Sequence, residues 1–219
     1  MQAALFALIA PLIMQMSAGD MLRLEDRERL ADCIVKLEQD PVNAYEDGLT
    51  WQAEGNRPEA RHCVALALIE LGRPEEGAAR LENLAMATDG GSREDRAHYF
   101  FQAGNAWIIA RRPEAAQTAL DEAVKLDPSD ADKYLARARS TLLQERWHEA
   151  QTDLDKALEI RGDDVIAYQL RAETKLRQHD LSGAQDDVRM AMQLDPENVE
   201  VLVLRGRVRE ALRKTEGLD

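Results

Sequence analysis

Sliding the 219-residue chain along itself until Ala116 lies on Ala150 and Ala184 also lays Ala123 on Ala157 and Ala191, and Leu120 on Leu154 and Val188. The columns continue upstream, where Phe100 falls on Tyr134, Tyr168 and Leu202, and Gly104 falls on Ala138, Ala172 and Gly206. Asp127-Pro128 returns as Asp195-Pro196, with Arg161-Gly162 at the turn between them. A fixed period of this length is one supersecondary unit, and such a unit cannot bury its apolar face alone, so neighbouring copies must stack. Each unit carries two apolar stripes at helical spacing, broken near Arg112-Pro113, Arg146-Trp147 or Asp180-Leu181, which predicts two helices per unit. With 12 Gly and 7 Pro the chain lacks the turns of an all-β fold, and 45% apolar residues set it apart from disordered sequences.

Three consecutive units, residues 97–130, 131–164 and 165–198, resemble tetratricopeptide (TPR) repeats. The large-small-large pattern of the first helix is carried by Phe100, Gly104 and Trp107, and the second helix and closing turn by Ala116, Ala123 and Pro128. Thr141 and Lys175 replace the second aromatic in the later units. Residues 199–219 resemble the polar capping helix that ends such arrays, with Arg205, Arg207, Arg209 and Arg213 along it. The resemblance implies an all-α fold, a helical-pair solenoid wound as a right-handed superhelix with a C-terminal capping helix.

Residues 20–96 read as degenerate TPR-like helical pairs. Leu71-Gly72-Arg73-Pro74-Glu75 marks a helix junction between stripes near 58–71 and 74–87. Earlier stripes at 24–37 and 44–53 flank Asp40-Pro41. Asp89-Gly90-Gly91-Ser92 inserts about five residues into the period, a longer loop where a two-domain chain would split; one solenoid is the preferred reading.

Residues 1–19 contain no charged side chain and hold the apolar run from Ala3 to Met14 followed by the small residues Ser17-Ala18-Gly19, the pattern of a secretion signal and its cleavage site. A basic start is missing; an uncleaved membrane anchor and a cytosolic amphipathic start are the alternatives, and Pro11, Gln2 and Gln15 weigh against the anchor. Cys33 and Cys63 are the only cysteines. In an exported chain such a pair tends to be joined, and the alternative is two small buried thiols. The expected location is periplasmic or secreted, with membrane-anchored or cytoplasmic as the alternative.

Little in the sequence points to catalysis. His148-Glu149 opens like a zinc-protease helix, but Thr152 stands where the second histidine belongs. His62, His98, His148 and His179 lack ligand partners at helical spacing, and Asp127, Asp130 and Asp132 lack the glycine and closing glutamate of a calcium loop, so no metal is expected. No phosphate loop, dinucleotide fingerprint or nucleophile elbow occurs, so no enzyme, cofactor or small-molecule substrate is expected. A formal charge of −13, from 41 acidic and 28 basic residues, disfavours nucleic acid, whose affinity rests on cations displacing counterions.

Function then rests on a surface. Beside the core stripe of each first helix runs a second, non-repeating stripe: His98, Phe101, Asn105 and Ile108; Asp132, Leu135, Arg139 and Leu142; Ile166, Gln169, Glu173 and Leu176; Glu200, Val203 and Arg207. In TPR proteins the corresponding positions face a concave groove that cradles a peptide or helix. The resemblance implies a protein partner here, with Phe101, Leu135 and Ile166 filling side-chain pockets, and Asn105, Arg139 and Gln169 satisfying its backbone. The alternative is that these apolar residues complete packing between units. A carboxylate clamp is not expected, because only Asn105 and Arg139 suit one, while Phe101, Leu135 and Glu173 occupy the other places. The expected role is a non-enzymatic adaptor; an assembly protein acting by self-association is the alternative.

Overall fold

The computed structural model describes residues 17–215, and the apolar segment Met1–Met16 lies outside it. Eleven helices follow in order among the described residues: α1 (Ala18–Gln39), α2 (Pro41–Gly55), α3 (Pro58–Glu70), α4 (Pro74–Met86), α5 (Arg93–Ile109), α6 (Pro113–Leu126), α7 (Ala131–Leu143), α8 (Trp147–Ile160), α9 (Val165–Arg177), α10 (Leu181–Leu194) and α11 (Val199–Thr215). No strand occurs among them. No helix among the described residues is long and apolar enough to cross a membrane.

Helix starts follow local chemistry. Proline opens α2, α3, α4 and α6, where its missing N–H leaves no bond unmade. Aspartate precedes α2, α7, α9 and α10, each accepting from a backbone N–H of the first turn: Asp40 from Asn43, Asp130 from Asp132, Asp164 from Ala167 and Asp180 from Gly183. The ends between paired helices share one device. Gly72, Arg111, Glu145 and His179 all have positive φ, from 57° to 76°. At each, the following N–H reaches five residues back, as in Arg112 N to Trp107 O and Arg146 N to Thr141 O, both 2.9 Å. This Schellman turn recruits two orphan carbonyls and redirects the chain within three residues.

The described residues fall into two compact units, divided between Arg80 and Leu81. The division falls inside α4, ahead of the Gly90-Gly91 loop where the sequence marked a split. Side chains explain the position. Trp107 Nε1 donates to Glu82 at 3.0 Å, and Arg96 caps the end of α4 through Ala85 O (2.6 Å) and Ala87 O (2.7 Å), so the last turns of α4 belong with α5.

In the first unit, Cys33, Leu37, Ala44, Trp51, Ala60, Cys63 and Ala67 form the core. Cys33 of α1 and Cys63 of α3 are joined in a disulfide. Arg57 pairs with the buried Asp26 at 3.0 Å, and the Arg29 guanidinium lies 4.7 Å from the Trp51 ring centroid.

In the second unit the alanine columns are the crossing points. Ala116, Ala150 and Ala184, like Ala123, Ala157 and Ala191, are buried, letting backbones approach closely. Gly104 shows how close: a Cβ there would meet Leu120 Cγ at 2.4 Å. An ionic ladder repeats with the same period. Arg137 binds Asp153 of α8 through two nitrogens (2.9 and 2.6 Å) and Asp121 of α6 (2.9 Å); Arg171 binds Asp187 of α10 (2.9 and 2.7 Å) and Asp155 of α8 (2.8 Å). Each arginine thus ties one first helix to the second helices on either side, in the bidentate geometry that guanidinium favours. The bond to Asp153 raises the Arg137 pKa, against the pull of burial.

Candidate partner-binding face

The non-repeating stripe lies on α5, α7, α9 and α11, all within the second unit, but its members differ in availability. Leu135 is 5% exposed and packs with Ala138, Leu154, Leu158 and Ala167, so it is core and fills no partner pocket. Leu154 and Leu158 of α8 and Ala167 of α9 close over it. Phe101 is half-buried, packed against the cluster of Ala116, Leu120 and Ala136, and its ring centroid lies 5.8 Å from Lys133 Nζ. Asn105 is half-buried and donates Nδ2 to Phe101 O at 3.1 Å, which leaves its carbonyl oxygen for another donor.

The polar members divide into committed and uncommitted groups. Glu173 is bound by Arg207 Nη2 and Arg177 Nε, each at 2.9 Å. Burial works to raise its pKa, but these two guanidiniums outweigh it and hold the carboxyl below the ordinary glutamate range. Arg161 likewise holds Asp132 low through a 2.6 Å bond. The side chains of Arg139 and Gln169, by contrast, make no hydrogen bond within the described residues, and both residues are half-buried. His98 is at the surface yet crowded; desolvation, then the Lys133 charge, lower its pKa and favour the neutral ring. Ile166 is exposed.

Two apolar residues on this face were not singled out from the sequence. Ile109 (63% exposed) and Leu143 (53% exposed) stand one repeat apart at the ends of α5 and α7. They extend the i, i+4, i+8 rows Phe101-Asn105-Ile109 and Leu135-Arg139-Leu143, which lie on one helical face. With Ile108 they line a surface cavity of about 450 Å³. The signal was the doublets Ile108-Ile109 and Leu142-Leu143, in which the second member falls beyond the apolar stripe that the first completes. In α9 and α11 the same row reads Gln169-Glu173-Arg177 and Val203-Arg207-Ala211, so the row is polar throughout only on α9. Among the described residues no group of three or more His, Cys, Asp or Glu is placed to hold a metal.

No protein-family model matches the chain, and no curated protein matches it in sequence. Solved structures do share its architecture. The chain is similar to MamA (residues 41 to the end) from Desulfovibrio magneticus RS-1, with TM-score 0.69 and 18% identity over 84% of this chain and 99% of that one. It is similar to YrrB, described as a TPR protein with an unusual peptide-binding site, with TM-score 0.64 and 16% identity over 81% and 87%. The TPR domain of Arabidopsis OM64 gives TM-score 0.54 and 27% identity over 54% and 98%. The fold is therefore the all-α helical-pair solenoid of TPR proteins.

Proposed function

We propose that the chain is a non-enzymatic adaptor that holds an extended peptide or a helix of a partner protein along the first-helix face of its second unit. One observation carries the reading: Ile109 and Leu143 are largely exposed on the same helical rows as Arg139, whose guanidinium has no hydrogen-bond partner in the described residues. Apolar side chains held open beside an uncommitted charge are what a binding face presents, since apolar burial drives association and the polar group fixes register. The peptide-binding site in the description of YrrB supports the same kind of ligand. The polar row of α9 suits a partner segment that carries a polar stretch beside its apolar one.

The Cys33–Cys63 disulfide supports an exported protein, periplasmic or secreted, with residues 1–19 as a cleaved leader. Self-association is a second reading, drawn from the exposed Met21, Leu22, Leu24, Ile34 and Val35 of α1.

The test places a photo-crosslinking residue at Leu142 in native cells and compares the parent with an Ile109→Ser, Arg139→Glu variant. The variant is expected to lose crosslinked partner by roughly tenfold or more, the size expected when an anchor residue is removed, while its helical circular dichroism is unchanged. Equal recovery refutes binding at this face, and a crosslink only to a second copy replaces the adaptor with the self-associating protein.

A further inference from the structure

The ionic ladder of the second unit changes at its last described step. Arg205 and Arg209 of α11 stand one repeat after Arg171 and Lys175 of α9. In α9 those two cations converge on one buried carboxylate, Asp187: Arg171 Nη2 lies 2.7 Å from Oδ1 and Lys175 Nζ 2.8 Å from Oδ2. In α11 neither cation pairs with a carboxylate among the described residues. The position one repeat after Asp155, the other partner of Arg171, is Arg189, a charge reversal. Arg205 reaches only the Met192 sulfur, at 3.7 Å, and Arg209 makes no ion pair within the described residues.

The packing is interrupted at the same place. Ala138 and Ala172 are fully buried under α8 and α10, and Gly104 lies against Leu120 of α6. Their counterpart Gly206 is exposed, and a Cβ built on it meets nothing within 4 Å. Between α10 and α11 lies a cavity of about 390 Å³, lined by Val188, Met192 and Val208 together with Arg189, Arg205 and Arg209. The equivalent place between α6 and α7 is filled by α8, which sets Asp153 on Arg137 and buries Leu154 against Ala138. The cavity thus has the form of a seat for a helix, with a cationic rim and an apolar floor.

The two helices that fill such seats beside an arginine, α8 and α10, share a pattern: alanine, two residues, aspartate followed at once by Leu or Val, two residues, alanine. It occurs as Ala150, Asp153, Leu154 and Ala157, and again as Ala184, Asp187, Val188 and Ala191. Within this sequence it occurs nowhere else, and both copies are sealed inside the array. A second folded copy therefore has no free helix of this kind to offer.

We propose that the groove between α10 and α11 docks an amphipathic helix of a partner protein whose contact face carries a carboxylate followed directly by Leu or Val. The carboxylate meets Arg205 and Arg209, the apolar residue packs over Gly206, and small residues one turn to either side permit close approach. In a protein of net charge −13, three arginines around one apolar cavity select an acidic ligand locally. This seat is separate from the first-helix face above and uses none of its residues.

The probe is a fluorescein-labelled, helix-stapled peptide with the sequence of residues 147–160, titrated by anisotropy against the 219-residue protein. Saturable binding is expected. Arg205→Glu with Arg209→Glu should weaken it roughly tenfold or more, and a peptide carrying Asp153→Arg should regain affinity for the Arg205→Glu protein. Gly206→Leu should abolish binding without lowering the thermal midpoint, because its new side chain has open space in the free protein. The proposal is overturned by absent binding, by equal affinity for the doubly charge-reversed protein, or by loss of binding on Arg139→Glu, which would move the peptide to the other face. Self-association that Arg205→Glu abolishes would also overturn it, in favour of a second copy.

Discussion

Arg111, Glu145 and His179 adopt the left-handed backbone where Gly72 occupies the equivalent turn. For a residue with a Cβ this conformation costs about 1–2 kcal/mol, and glycine escapes it while losing about 0.5–1 kcal/mol of chain entropy on folding. The balance favours glycine, so Glu145→Gly should raise the unfolding free energy by about 0.5 kcal/mol. Glu145→Val should lower it, because a β-branched side chain tolerates positive φ least. Urea unfolding of the two variants beside the parent measures both signs; a Gly variant less stable than the parent would show that the turn is not strained. The same comparison shows why only part of the turn was legible. Arg112-Pro113, Arg146-Trp147 and Asp180-Leu181 placed the breaks correctly, since a stripe must end where its helix ends. The residue that absorbs the left-handed angle carries no consistent side chain, because the Schellman hydrogen bonds use backbone atoms alone.

Helix α1 is held in the first unit by the small core around Trp51, by the pairs Arg57–Asp26, Arg29–Glu54 and Lys36–Asp47, and by the disulfide to α3. The Cys33–Cys63 link closes a span of 30 residues, which on the chain-entropy account contributes roughly 3–4 kcal/mol. A Cys33→Ala, Cys63→Ala protein should lose about that much stability in the first unit, seen as faster amide exchange through α1 and α3 while α8 and α9 keep their protection. Titration of the unfolded, unreduced parent should find no free thiol; two thiols would remove both the tether and the support for export. Helix pairing was read well from the sequence, because alanine columns and a fixed period report packing directly. The binding face was read less well. Leu135 and Phe101 share a column, but whether a residue in it is core or surface depends on what packs over it: Leu154, Leu158 and Ala167 cover Leu135. Ile109 and Leu143 escaped because they sit one residue outside the stripe, where only their doublets with Ile108 and Leu142 betray them.

Across the molecule, several carboxylates sit in ordered contacts, and the direction of their shifts has a consequence. Asn43 backbone and side-chain bonds lower the Asp40 pKa, Lys133 lowers Asp127, Arg161 lowers Asp132, and Arg207 with Arg177 lower Glu173 against its burial. A carboxyl whose pKa is lower in the folded chain stabilises it fully above the unfolded value, near 4, and loses that contribution as the pH falls through the folded value. Two groups act in the opposite sense. Desolvation raises Asp153, despite Arg137, and raises Glu82, despite its bond from Trp107; a raised carboxyl favours folding more as the pH falls. The lowered groups are the more numerous, so stability should be flat from neutral pH down to about 5 and should fall below about 4. Asp127→Asn should flatten the acid limb, since Lys133 then loses one of its two carboxylate partners at every pH and the variant starts lower at neutrality. Urea midpoints measured between pH 3 and 7, on the order of the range over which these carboxyls titrate, decide it: a midpoint that rises in acid would mean that the desolvated Asp153 and Glu82 govern the balance, and that the ladder of arginines holds its aspartates less tightly than its geometry implies.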